Sequence, residues 1–245
     1  MSNSDAWRGL VGIVRPAKIS RTNEEVMQML PRGVGILPMF HTISHGQMGE
    51  FTSALPAFER MIGELMTKEI DLVHAAGTPP FMVLGYENER RLVEQWQKKF
   101  DVPIFTSGPN QVRAMKALGI RNVVGIGYDF EDTSIVERYL RDAGMKVAAL
   151  ERLPGRWEDV GSLSSFEIYR LVKQLFLAHP DADGIYIQGG KIQMLDVVEE
   201  LEQDLEVPVV HPAVATAWEI MYRLRIRQPK TGFGRLLSEL PRPQA

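Results

Sequence analysis

Two apolar runs in the sequence end at a glycine followed by a group with chemical use. Asp183 to Gln188 leads into Gly189-Gly190-Lys191, and Asp71 to Ala76 leads into Gly77-Thr78. An amine placed after two glycines at the mouth of a partly apolar cleft loses hydration, which lowers a lysine pKa. Such a group can protonate a carbanion, form a Schiff base with a carbonyl, or hold a carboxylate as a fixed charge. The plain alternative is a lysine in solvent. His211 closes the run Val207-Pro208-Val209-Val210 and is an acid–base candidate for the same place. Arg15, followed by Pro16, closes another run and can clamp a carboxylate bidentately, or simply cap a strand at the surface. Glycine turns add backbone N–H groups that can cradle an oxyanion.

The other four of the five histidines carry less. His74 lies inside a strand-like run and reads as a satisfied core residue. His41 and His45 are four apart, but the glycine after them breaks a helical reading, so zinc ligation is not expected. His179 precedes Pro180 in a loop and is expected at the surface. There is no cysteine, which excludes disulfides, zinc thiolates and thiol catalysis. No phosphate-binding glycine motif is present, and no metal or cofactor is called for.

Short apolar runs alternate with amphipathic stretches, and these must position the candidates. Strands are expected at 10–14, 33–39, 71–76, 102–107, 122–128, 146–150, 183–188 and 207–210. Helices are expected at 22–30, 54–69, 85–100, 133–144, 164–179 and 195–205, the first with Thr22 as N-cap and Glu25 at capping-box spacing. Alternating strands and helices give an α/β fold with parallel sheets.

The pattern repeats. Val11–Val14 matches Val124–Gly127, Asp71–Gly77 matches Asp183–Gly189, and Asp101–Ser107 resembles Glu206–Pro212, at offsets of 113, 112 and 105. Collinear matches at nearly constant offset imply two pseudo-symmetric lobes, each a short parallel sheet flanked by helices. Lobe 1 is expected over 1–103 plus 217–245 and lobe 2 over 104–216. Ligands gather beyond the carboxyl ends of parallel strands. The cleft between lobes is then walled by Arg15, Pro16, Gly77, Thr78, Tyr128, Gly189, Gly190 and Lys191.

The chain has 245 residues and a formal net charge of −3, with no basic block, which argues against nucleic-acid binding. No apolar run is long enough for a membrane span, and the N-terminus has no signal-peptide pattern. A cytoplasmic location is expected; a homo-oligomer stays open.

Several strings together resemble the aspartate/glutamate racemase superfamily, on its arylmalonate decarboxylase and maleate isomerase branch. They are VGIVRPA, HAAGTPP, MKALGIRNVVGIGY, HPDADGIYIQGGKIQMLD, VPVVHPAVATAW and PKTGFGRLL, in order along nearly the whole chain. The resemblance implies a cofactor-independent enzyme acting on a small carboxylic acid. It implies that Thr78 and Tyr128 contact the substrate, with Pro79 in place of a family serine. The family's racemases and isomerases use two cysteines, one per lobe, and the decarboxylase keeps the second as proton donor. Aligned without gaps, both positions are glycine here, Gly77 and Gly189. The expectation is therefore a lyase, most simply a decarboxylase of a malonate- or dicarboxylate-like acid, with Lys191 or His211 returning the proton. Alternatives are an isomerase or racemase using lysine and histidine, a hydrolase or hydratase, and a carboxylate-binding protein without catalysis.

Overall fold

The computed structural model describes residues 5–16, 22–43, 47–128, 134–153 and 162–243, and His45 lies outside them. The first half runs β1 (Gly9–Pro16), α1 (Thr22–Met29), β2 (Val34–His41), α2 (Met48–Ser53), α3 (Leu55–Leu65), β3 (Leu72–Ala75), α4 (Pro79–Met82), α5 (Tyr86–Phe100), β4 (Ile104–Thr106) and α6 (Ser107–Ala117). The second runs β5 (Asn122–Gly127), α7 (Ser134–Asp142), β6 (Lys146–Arg152), α8 (Ser165–Leu177), β7 (Gly184–Gln188), a 3-10 turn (Leu195–Val197), α9 (Val198–Leu205), β8 (Val209–Val210), α10 (Pro212–Arg223) and α11 (Arg235–Glu239).

Two four-stranded sheets result, ordered β2-β1-β3-β4 and β6-β5-β7-β8, with every pair parallel. The orders are the same permutation, so the repeated sequence is a repeated topology. β3 and β7 sit inside their sheets and are buried at every residue, which explains their mostly apolar runs. The edge strands β2 and β6 are partly exposed. β4 lies beyond residue 103, where the sequence suggested that lobe 1 ends, yet it pairs with β3 in the first sheet.

The repeated residues do repeated work. Asp71 accepts a hydrogen bond from the Leu10 N–H at 2.7 Å, at the start of β1. Asp183 accepts from the Arg121 and Asn122 N–H groups, each at 2.8 Å, at the start of β5. Each aspartate pins the start of the strand beside its own and so fixes the register of that pair. Asp101 and Glu206 end α5 and α9 in the left-handed conformation, with φ of 50° and 57°. One turn earlier, Gln97 accepts from the Ile104 N–H and Glu202 from the Val209 N–H. Gly77 and Gly189 both have positive φ, 114° and 135°, the backbone state that favours glycine.

α6 and α10 are absent from the periodicity reading. α10 is buried from Pro212 to Met221 and is apolar nearly all round, so it has no stripe to detect. These two helices follow equivalent strands and pack against each other, and α10 also packs on α1. They form the seam between the halves. Thr22 differs from expectation as well. It is the first residue of α1, and its hydroxyl donates to the Gly190 carbonyl at 2.6 Å, so it ties the start of α1 to the second half's turn.

Candidate active site

The carboxyl ends of β1, β3, β5 and β7 open onto one small cavity, of about 80 Å³. Arg15, Gly77, Thr78, Tyr128, Gly190 and Lys191 all line it. So do Ser107, Thr22 and Pro212, the first residues of α6, α1 and α10. Three helix N-termini therefore converge there, each bringing the positive end of its dipole. Among the described residues no aspartate or glutamate lines it, though Glu25 acts on Arg15 and Tyr128 from nearby. Ile43, Phe51, Ala76 and Pro80 complete an apolar wall. The cavity is built for a small anion with an apolar part.

Each turn presents its own set of contacts. At the second turn, the Gln188 amide is fully buried and spans the two halves. Its Nε2 donates to Thr78 Oγ1 at 3.3 Å, and its Oε1 accepts from the Tyr128 N–H at 3.3 Å. Gln188 precedes Gly189 and Thr78 follows Gly77, so a single side chain bridges the two glycine turns. The Lys191 N–H donates to Tyr128 Oη at 2.5 Å. A Cβ on Gly189 would lie 2.1 Å from the Tyr128 ring, so this glycine is required by the tyrosine it faces. At the first turn, the Gly77 N–H donates to Ser107 Oγ at 3.0 Å, and His74 Nε2 lies 3.0 Å from the same oxygen. With one lone pair taken by Gly77, the serine hydroxyl proton can point at the imidazole.

Burial sets the charge states. It lowers Arg15 to about 10, opposed by the phenol of Tyr128 and by Glu25, and the guanidinium stays charged at neutral pH. Burial pushes the Tyr128 phenol up, against the Lys191 N–H and Arg15, so it stays protonated. His74 is held well below the usual imidazole range by burial and then by Arg15 and Arg223, and is neutral. Its Nδ1 meets no partner among the described residues, while the ring stacks on Phe105 at 4.3 Å.

The sequence candidates are thus mostly gathered in one place. Pro16 is the last residue of β1, beside Arg15. Gly189 sits behind Tyr128 and outside the cavity lining. His211 is fully buried and also outside the lining. Its Nδ1 accepts from the Ala213 N–H at 3.3 Å as the N-cap of α10. Its Nε2 is 3.1 Å from the Ile192 carbonyl, which can only accept, so Nε2 carries the proton. Burial lowers this ring to about 4. Both nitrogens are committed to backbone. The internal repeat could have revealed this, since His211 occupies the position of Thr106, the N-cap of α6. Sequence reading missed His74, Ser107 and Gln188. His74 is buried as expected, yet only half satisfied and turned to the cavity. Among the described residues, no cluster of three histidine, aspartate or glutamate side chains forms a metal site. No helix among them is long and apolar enough to cross a membrane.

The arylmalonate decarboxylase family profile matches residues 32–237. The structure superposes on maleate isomerase Iso from Pseudomonas putida S16 with a TM-score of 0.88 at 21% identity, over 95% of this chain and 99% of that one. It matches arylmalonate decarboxylase at 0.79 and 20% identity, over 94% and 99% of the two chains. Against a maleate cis-trans isomerase variant from Nocardia farcinica the score is 0.83 at 19% identity, over 94% and 98%. At these identities the structural likeness establishes the fold. No curated protein sequence matches. Profile, fold and the paired glycine turns agree: this chain belongs to the arylmalonate decarboxylase and maleate isomerase family of the aspartate/glutamate racemase superfamily, and it contains no cysteine.

Proposed function

We propose that this protein is a cofactor-independent lyase that decarboxylates a small malonate-like diacid without a thiol. The observation that carries the reading is a cavity where Arg15, Lys191 and three helix N-termini meet an apolar wall, with no carboxylate among its described lining residues. One carboxylate of the substrate is held by Arg15 and the Thr78 hydroxyl, at the positive ends of the helix dipoles. The other lies against Ile43, Phe51 and Ala76, where loss of hydration favours its departure. The carbon–carbon bond breaks and carbon dioxide leaves. The electron pair passes into the retained carboxylate as an enediolate, whose growing charge the guanidinium and the helix dipoles stabilise. The Lys191 ammonium then delivers a proton to the carbon and is recharged from water. His211, also a candidate for that proton, is assigned to the helix cap. A cavity of about 80 Å³ is well below the few hundred cubic ångströms of drug-sized sites, which favours a short aliphatic acid over an aryl one.

A second reading, an isomerase or racemase, draws on His74 and Ser107. They bring a proton-transfer pair from the half opposite Lys191, and two-sided chemistry needs two such groups. The Nocardia farcinica isomerase variant holds a covalently bound succinylcysteine intermediate, and a Pseudomonas putida Iso variant holds maleate. A chain without cysteine cannot use that covalent route.

The test is a substrate panel with carbon dioxide release as the readout. Methylmalonate and 2-ethyl-2-methylmalonate are expected to turn over, and phenylmalonate more slowly. Conversion of maleate to fumarate, or α-deuteration of a chiral monoacid with no carbon dioxide from any malonate, would establish the second reading instead.

A further inference from the structure

A larger cavity, of about 860 Å³, lies on the other side of α6. Its cationic lining is Arg90, Arg113, Lys116, Arg121 and Arg223, with Glu94 as its described acid, while Arg90 pairs with Glu87 and Arg121 with Asp183 just outside it. Its floor is Ile104, Phe105 and Asn110. Asn110 is 1% exposed, and both its amide nitrogen and its amide oxygen meet no partner, among the described residues. Leaving such a group unmade is costly, and native structures keep few of them without a reason. Beside it, Arg113 Nε is also buried without a partner. The fully buried Glu219 pairs with Arg113 and, at 2.5 Å, with Arg223, so two guanidinium charges share one carboxylate. The Arg223 guanidinium also lies over the Phe105 ring, 5.4 Å from its centre. The groove thus offers excess positive charge, an unmet amide and an aromatic face, in a volume usual for ligand sites.

We propose that this groove is a second binding site, for an organic anion bearing two or more negative charges as phosphate or carboxylate. The anion pairs with the excess charge of Arg113 and Arg223, and Asn110 hydrogen-bonds it from the floor. Arg90 and Lys116 steer it from the rim. The site is independent of the proposed lyase activity and is tested without it.

Pyrophosphate and citrate serve as the two probes, titrated calorimetrically at fixed ionic strength against the full chain. Saturable binding of either is expected, and whichever binds tighter identifies the phosphate or carboxylate source. Arg113 variants risk unfolding because they strand Glu219, so the decisive changes lie elsewhere. Asn110→Leu removes the amide at similar volume, and Arg90→Glu with Lys116→Glu reverses the rim. Each is expected to weaken binding at least about ten-fold while the melting curve stays cooperative. Undiminished binding in both variants, or no binding of either probe at millimolar concentration, would overturn the proposal. So would sedimentation showing a dimer that the rim reversal dissociates, because the groove would then be an interface between copies.

Discussion

The two glycine turns share a backbone and differ in chemistry. Both follow a buried central strand, both place a positive-φ glycine six residues after a register-setting aspartate, and both open on one cavity. The first turn has a neutral histidine touching a serine hydroxyl, with a backbone N–H on that same oxygen. The second has a buried amide linking Thr78 to Tyr128, then a lysine whose N–H holds the tyrosine hydroxyl. The backbone of a duplicated site is fixed by φ and register. Its side chains are not, so the halves can divide the labour of binding charge and moving protons.

The largest effect that would break this comparison is expected at the second glycine. Gly189→Ala puts a Cβ into the Tyr128 ring at a φ that L-residues rarely adopt. Positive-φ strain and overpacking should together destabilise the fold by about 2–5 kcal/mol, measured by denaturant melts. An unchanged melt would mean that Tyr128 is not held where the account needs it.

Lys191 comes next. Lys191→Ala should lower kcat/KM on the best malonate by at least about 100-fold. Lys191→Arg keeps the charge but cannot readily give up a proton, so partial activity would assign Lys191 to anchoring and not to protonation. The same steady-state assay on Ser107→Ala should show less than about ten-fold loss under the decarboxylase reading, and a loss matching that of Lys191→Ala under the two-sided one.

A subtler contrast lies between Gln97 and Glu202, which accept equivalent strand N–H groups. Burial raises Glu202 to about 7, against the Val209 and Arg235 N–H groups. The folded state therefore holds the proton more tightly than the unfolded chain. This contribution is full below the unfolded value of 4.5 and is lost as pH rises towards 7. Glu202→Gln should remove that decline, flattening the pH dependence of stability by about one proton across the window. A difference in slope of at most about 1.4 kcal/mol per pH unit is expected from urea melts at several pH values.

The smallest expected effect compares the two register-setting aspartates. Asp71→Asn should cost about 1 kcal/mol and Asp183→Asn about 1–2 kcal/mol, since one accepts a single N–H and the other two. Equal losses would show that the second bond adds nothing.

The sheets were legible because parallel strands buried on both faces write mostly apolar runs, and because the repeat wrote them twice. Lys191, Arg15, Thr78 and Tyr128 were legible because strand ends fix where a residue must emerge. What stayed hidden was relational. α10 has no polar stripe, so periodicity passes over it. His74 reads as core because burial is visible in a strand pattern, whereas a 3.0 Å approach to Ser107, 33 residues on, is not. His211 looked catalytic because it ends a strand at the cleft, yet its ring is spent on the Ala213 N–H and the Ile192 carbonyl.

The central claim is that a positioned side chain, and not a thiol or bulk water, returns the proton after carbon dioxide leaves. The most direct measurement is the product of 2-ethyl-2-methylmalonate in D₂O, analysed for label and handedness. The account predicts 2-methylbutyrate with a single deuterium at the α-carbon and one enantiomer in large excess. A racemic deuterated product, or no release of carbon dioxide at all, would contradict it.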